Sequence, residues 1–212
     1  MATRLGLWNA ALVECAETPI SDTGEPGKAG ATLATVYDDV LAECLARGSW
    51  NFATKTIEAA NDTGITPEFG YSKVFAKPSD WLRTWAVSED ENFSAPLTTF
   101  YDDVNYWSAN SSPIYVRYTS NDTGFGLNLT GWPIAFTRYV VLELAHRICG
   151  RVTQGESQKD RIETDRNRAR SMALNQDSMN EAQPKWAPPG SWTLSRGGRG
   201  SRDRGSRSNL TG

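Results

Sequence analysis

Residues 132–152 constrain this chain more than any other stretch. Trp132-Pro133 opens a run in which Phe136, Val140, Leu144 and Ile148 mark one helical face, while Tyr139, Val141, Leu142, Ala145 and Cys149 occupy the others. Pro133 suits a first helical turn, where its missing N–H leaves no bond unmade. A helix that is apolar nearly all round has no face to offer water. The rest of the chain is therefore predicted to surround it, and 212 residues are enough to build a core of that kind.

Three further helices can be read from spacing. Leu5, Trp8, Leu12 and Cys15 recur at helical intervals before Pro19 and Gly24. After Pro26-Gly27 a second helix runs from about Thr32 to Arg47, with Leu33, Val36, Tyr37, Val40, Leu41, Cys44 and Leu45 on its apolar side, and Gly48 closes it. A helix from about Ser157 to Gln183 carries only a thin stripe, Ile162, Ala169, Met172, Ala173 and Met179. Its opposite charges meet at i,i+4 in Lys159-Glu163 and Arg161-Asp165, so it reads as largely solvated or facing a neighbouring subunit.

Between Trp50 and Thr119 the texture changes to aromatic and β-branched residues with hints of period two. Thr54–Ile57, Phe69–Phe75, Leu82–Val87 and Ile114–Tyr118 read as short antiparallel strands, punctuated by Pro67, Pro78, Pro96 and Pro113. The expected fold is α+β and mainly α: a bundle of about four helices with a small antiparallel β region inserted in it. Residues 1–49 and 131–185 would form the bundle and 50–130 the insertion.

Charge divides the chain unevenly. The net charge is −3, yet residues 196–212 carry Arg196, Arg199, Arg202, Arg204 and Arg207 against Asp203 alone, which leaves the preceding residues at −7. This Arg/Gly/Ser-rich end has almost nothing apolar to bury and is predicted to order only on a partner. Nucleic-acid phosphates and an acidic protein surface both fit it. Trp186 and Trp192, beside Pro188-Pro189-Gly190, add aromatic anchors of the type found at interfaces, and Trp107 reads the same way.

Several chemistries lose support. No stretch reaches the roughly 18 apolar residues of a membrane span, and the first twelve residues lack a cleavable signal layout, so export is not expected. Cys15, Cys44 and Cys149 are widely spaced and read as core thiols, and His146 has no second histidine with which to hold zinc. Asp-Thr-Gly occurs at Asp22, Asp62 and Asp122, a triplet known from aspartic proteases. Here Ser21, Asn61 and Asn121 precede it, which favours turns. No phosphate loop, dinucleotide fingerprint or HExxH is present. The expectation is a protein that is not an enzyme, with no catalytic residues, cofactor or metal.

The order of features resembles a known family. A helix through Ala11-Leu-Val-Glu14 leads to Pro19-Ile20-Ser21. A second helix ends in Leu45-Ala-Arg-Gly48-Ser-Trp50-Asn51-Phe52-Ala53. Then come Phe69-Gly-Tyr71, Lys77-Pro78-Ser-Asp80-Trp81-Leu82-Arg83, Ile114-Tyr115-Val116-Arg117-Tyr118 and Trp132-Pro133-Ile-Ala135-Phe136. Over roughly residues 5–195 this pattern is similar to the tail tubular protein A and head-tail adaptor family of tailed bacteriophages. The resemblance implies a structural virion protein at the head–tail interface, assembled in the host cytoplasm. Its partners would be further copies in a ring, dodecameric in that family, the portal protein above it and a downstream tail or stopper protein. Double-stranded DNA would pass through the lumen without sequence-specific contacts, and no membrane would be involved. By position, Trp50, Phe52, Pro78, Asp80, Leu82 and Arg83 would hold the β insertion to the bundle. Residues 186–212, with Trp186, Trp192 and the five arginines, would be an extended arm that clasps the portal. The alternative is a nucleic-acid-binding protein that works through its Arg/Gly/Ser-rich tail.

Overall fold

The computed structural model describes residues 2–24, 27–67, 70–94, 96–152 and 156–180. The chain divides into Met1–Asn180 and Glu181–Gly212, and every described residue belongs to the first unit. Helix α1, Arg4–Glu14, starts where the Thr3 hydroxyl accepts the Gly6 N–H at 3.1 Å. It ends where Ala16 turns to a φ of 59°. Helix α2, Lys28–Ala46, buries Leu33, Tyr37, Val40, Leu41, Cys44 and Leu45 at the predicted spacing. Helix α3, Ile134–Val152, takes its first helical bond at the Pro133 carbonyl and buries residues on every side. Helix α4, Glu156–Met179, rests on it through Ile162, Ala169 and Ala173. Leu7, Leu12, Leu33, Leu45, Phe136, Tyr139, Leu144 and Ile148 all lie in this helical core. Among the described residues no helix is long and apolar enough to cross a membrane.

The expected helical bundle with one small β insertion is incorrect. Among the described residues the fold is mixed, four helices standing with two three-stranded antiparallel sheets. Six strands form them: β1 Thr54–Ala59, β2 Lys73–Ala76, β3 Trp81–Ser88, β4 Tyr101–Asp102, β5 Tyr106–Ala109 and β6 Ile114–Ser120. One sheet has the order β1-β6-β3, the other β2-β5-β4. β1 pairs with β6 from Thr54↔Thr119 to Ala59↔Ile114, and β3 pairs with β6 across two irregularities in register.

The physical reason for the correction is a second hydrophobic core. Phe75, Val87, Trp107, Ile114, Val116 and Tyr118 gather from both sheets and exclude water among themselves. A β region with its own core is an architectural half, not a trimming on a bundle. Trp107, read from the sequence as an interface aromatic, is fully buried here and its indole N–H donates to the Thr84 hydroxyl at 2.8 Å. The strands β4 and β5 escaped the sequence reading because Asp102, Asp103, Asn105, Ser108 and Asn110 interrupt their hydrophobic pattern. The predicted Phe69–Phe75 strand is Lys73–Ala76, and Phe69 lies outside the described residues.

Candidate functional site

Two clusters of side chains organise the meeting of helices and sheets: one fastens the start of β1 to the helices, and the other joins strands beside Leu82 and Arg83, which reach the helices. The first begins at Gly48, just past the end of α2. A Cβ on Gly48 would stand 2.6 Å from the Trp50 ring and 2.9 Å from Leu174, so only glycine lets the indole turn inward there. Trp50 is almost wholly buried, and its N–H donates to the Cys44 carbonyl at 3.0 Å. Its ring centre lies 4.7 Å from that of Phe136, with Phe52 4.8 Å from the same ring on α3. The edge-to-face contact of Trp50 with Phe136 adds directionality to the burial of the rings. Between the two aromatics, the Asn51 N–H donates to the Asp177 carboxylate at 3.0 Å and the Asn51 amide donates to the Asp177 carbonyl at 2.9 Å. The chain therefore leaves α2, is pinned to α3 and α4, and enters β1 at Thr54 within a few residues.

The second cluster centres on Asp80. Its carboxylate accepts the Ser120 hydroxyl at 2.6 Å, the Lys55 ammonium at 2.9 Å and the Tyr118 hydroxyl at 3.1 Å. Its backbone carbonyl accepts the Asn121 N–H at 2.9 Å. Burial pushes the Asp80 carboxyl upward, but the bonds from Ser120, Lys55 and Tyr118 outweigh it and hold the group below the usual aspartate range. The Lys55 ammonium is held protonated chiefly by its bond to Asp80. Burial, then the Asp80 charge, pushes the Tyr118 phenol up to about 12. One carboxylate thus joins β1, β6 and the turn before β3. Pro78 shapes that turn, its carbonyl accepting the Trp81 N–H at 3.1 Å. Leu82 packs against the helical core, and the Arg83 guanidinium donates to the Ala46 carbonyl at the end of α2 at 3.2 Å while covering the Trp85 ring.

The six motif residues accordingly fall into separate tasks. Trp50, Phe52, Leu82 and Arg83 reach the helices, Asp80 joins strands, and Pro78 sets a turn. The structure does not bring Asp80 together with Trp50. The other site residues read from the sequence, Trp186, Trp192, Arg196, Arg199, Arg202, Arg204 and Arg207, lie outside the described residues.

Sequence reasoning missed Glu143. It is almost completely buried in the middle of α3, where Arg47 reaches it at 3.0 Å and Arg166 at 3.7 Å. A buried carboxylate needs such partners, and a charged residue inside an otherwise unbroken apolar helix was the available signal. His146, one turn further, has its Nδ1 3.1 Å from the Arg166 guanidinium, and burial together with that positive neighbour lowers its pKa. Burial pushes the thiols of Cys15 and Cys44 up to about 12, which keeps them protonated as core groups. The Asp62 and Asp122 carboxylates each accept the N–H of the glycine two residues on, at 2.9 and 3.0 Å, as turn chemistry predicts. Among the described residues no cluster of His, Cys, Asp or Glu has the makings of a metal site. No protein-family model matches the chain, and no curated protein matches it.

Proposed function

We propose that this protein is a structural adaptor of a tailed bacteriophage particle, forming a ring of copies between portal and tail and carrying no catalytic step. The observation that supports this reading best is the position of the two family-like motifs. Trp50-Asn51-Phe52-Ala53 stands where the chain passes from α2 into β1, and of Pro78-Ser-Asp80-Trp81-Leu82-Arg83, in the turn into β3, Leu82 and Arg83 reach the helices, which agrees in part with the role that the resemblance implies for these motifs. A part that transmits load between two larger assemblies needs its own halves joined firmly, and these residues do so with ring contacts and charge-assisted hydrogen bonds. The acidic balance of residues 1–195 would also discourage DNA from adhering to a channel wall. In this reading the Arg-rich residues 196–212 dock on the portal and acquire order there.

The test is to add the purified full-length protein to DNA-filled, tailless capsids and to isolated portal, and to image the mixtures by electron microscopy. Added density at the portal vertex is the expected result; bare portals at saturating protein would overturn the reading. The charge of residues 196–212 makes DNA binding the second reading. Salt-sensitive DNA affinity that disappears on deleting those residues, without portal docking, would favour it.

A further inference from the structure

Among the described residues, the large apolar side chains that stand exposed are Val13, Tyr101, Val104, Ile134, Met172 and Met179. All but Val13 and Met179 gather in two places, and those places differ in charge. The first is a groove of about 210 Å³ between the start of α3 and the middle of α4, lined by Ala135, Ala169 and Met172 and rimmed by Arg138, Arg168 and Asp165, with the exposed Arg138 guanidinium 3.7 Å from the Glu14 carboxylate. Ile134 is 86% exposed beside it and Met172 61% exposed. The second is the turn joining β4 to β5, where Val104 is 77% and Tyr101 49% exposed on either side of Asp102 and Asp103. Lys77, whose side chain is buried, balances Asp102, and the Asp103 carboxylate accepts the Val104 N–H at 2.7 Å, so the tip is held in shape with one acid in excess.

We propose that the groove between α3 and α4 receives the β4–β5 tip of a second copy of this chain. Val104 seats on Ala135, Ala169 and Met172, and Asp103 faces Arg138 and Arg168. Apolar patches rimmed by polar groups mark interaction surfaces, and charge decides which surfaces meet. Groove against groove would bring together two rims of net positive charge, each with two arginines against Asp165, and tip against tip would oppose acids. Groove against tip pairs opposite signs. The wider charge agrees: residues 134–180 hold eight Lys and Arg against six Asp and Glu, whereas residues 1–133 hold eight against seventeen. Because the two surfaces differ, each added copy leaves one groove and one tip free, and growth continues until a ring closes or a filament extends. The contact rests on the adaptor reading only for ring closure; it supplies that ring with its lateral interface.

The test uses sedimentation of the full-length protein and two surface variants, Val104→Asp and Met172→Asp, each checked for unchanged circular dichroism. Each variant alone is expected to self-associate about 30-fold more weakly, the loss of one interface anchor. Mixed, they are expected to form a one-to-one pair that grows no further, because only one intact groove and one intact tip remain between them. Val104→Asp pairing with itself as well as the parent does would mean groove against groove and would overturn the proposal. So would a parent that stays a single copy, whether its groove is open or taken by residues 181–212 of its own chain. A parent whose assembly ignores both substitutions would overturn it as well. The same samples added to capsids separate this inference from the adaptor reading. Docking by rings indifferent to tip and groove removes only the inference; tip-dependent and groove-dependent assembly without docking removes only the adaptor reading.

Discussion

The helical core around Phe136, Tyr139 and Leu144 and the sheet core around Trp107, Val116 and Tyr118 bury apolar surface by different means. The helical core is drawn from four helices and is filled with Leu, Val, Ala, Cys and aromatic side chains. Among the described residues its buried carboxylates are Glu143, met by Arg47 and Arg166, and Asp177, met by Asn51. The sheet core is smaller and depends on polar groups at its margin: Asp80 with Lys55, Tyr118 and Ser120, and Thr84 with the Trp107 indole. A large core tolerates local loss because many contacts share it. A small core leans on a few specific bonds, since each buried polar group left without a partner costs a sizeable part of a marginal stability.

That contrast can be broken most forcefully where the two halves meet. Trp50→Ala removes the ring that packs on Phe136 and leaves a hole under the junction. A loss of about 3–5 kcal/mol is expected in urea unfolding, with helical and aromatic circular dichroism lost together. Separate transitions would show that the cores fold independently. Asp80→Ala strands the buried hydroxyls of Tyr118 and Ser120 and should cost about 2–3 kcal/mol, felt by the sheets. In Asp80→Asn the Tyr118 phenol should titrate below its parent value of about 12, because the neighbouring negative charge is gone, while burial still holds it above an exposed tyrosine. An unchanged tyrosine titration by ultraviolet absorbance would contradict the proposed coupling.

Smaller effects sharpen the same comparison. Gly48→Ala forces a methyl group into the Trp50 ring and Leu174, at an expected cost of about 1–3 kcal/mol. The substitution acts on the helical side of the junction and should leave the Tyr118 titration alone. The acid limb of stability belongs to the other side. Asp80 releases its proton more readily when folded than when unfolded, so its contribution is complete at neutral pH and is lost as pH falls through about 4 and below. Asp80→Asn should flatten that part of the pH profile in thermal unfolding; a parent-like slope would shift the acid sensitivity to another carboxylate.

The helices were legible because their signal is local and repeated. Leu33, Tyr37, Val40, Leu41, Cys44 and Leu45 recur at the helical period, and Pro133 and Gly48 mark the boundaries of two helices. The sheets were less legible, since β4 and β5 are short and rich in Asp, Asn and Ser. β5 also pairs with β2, some thirty residues earlier in the chain, a distance across which sequence spacing carries no register. Asp80 was singled out through its motif, but its partners Lys55, Tyr118 and Ser120 were not, because a carboxylate's neighbours in space leave no mark on its neighbours in sequence.

Residue order alone settled that the segment after Pro133 would be a buried helix, that residues 50–130 would favour strands, and that the charge of the chain would be split. Each follows from local periodicity or composition, which need no knowledge of distant contacts. Assembly in three dimensions settled that the strands would close on a core of their own, that Trp107 would be consumed inside it, that Glu143 would be a satisfied buried charge, and that a basic groove and an acidic tip would both face solvent. Those outcomes depend on which side chains meet across long loops, and that is fixed by packing and by the cost of leaving a buried polar group without a partner.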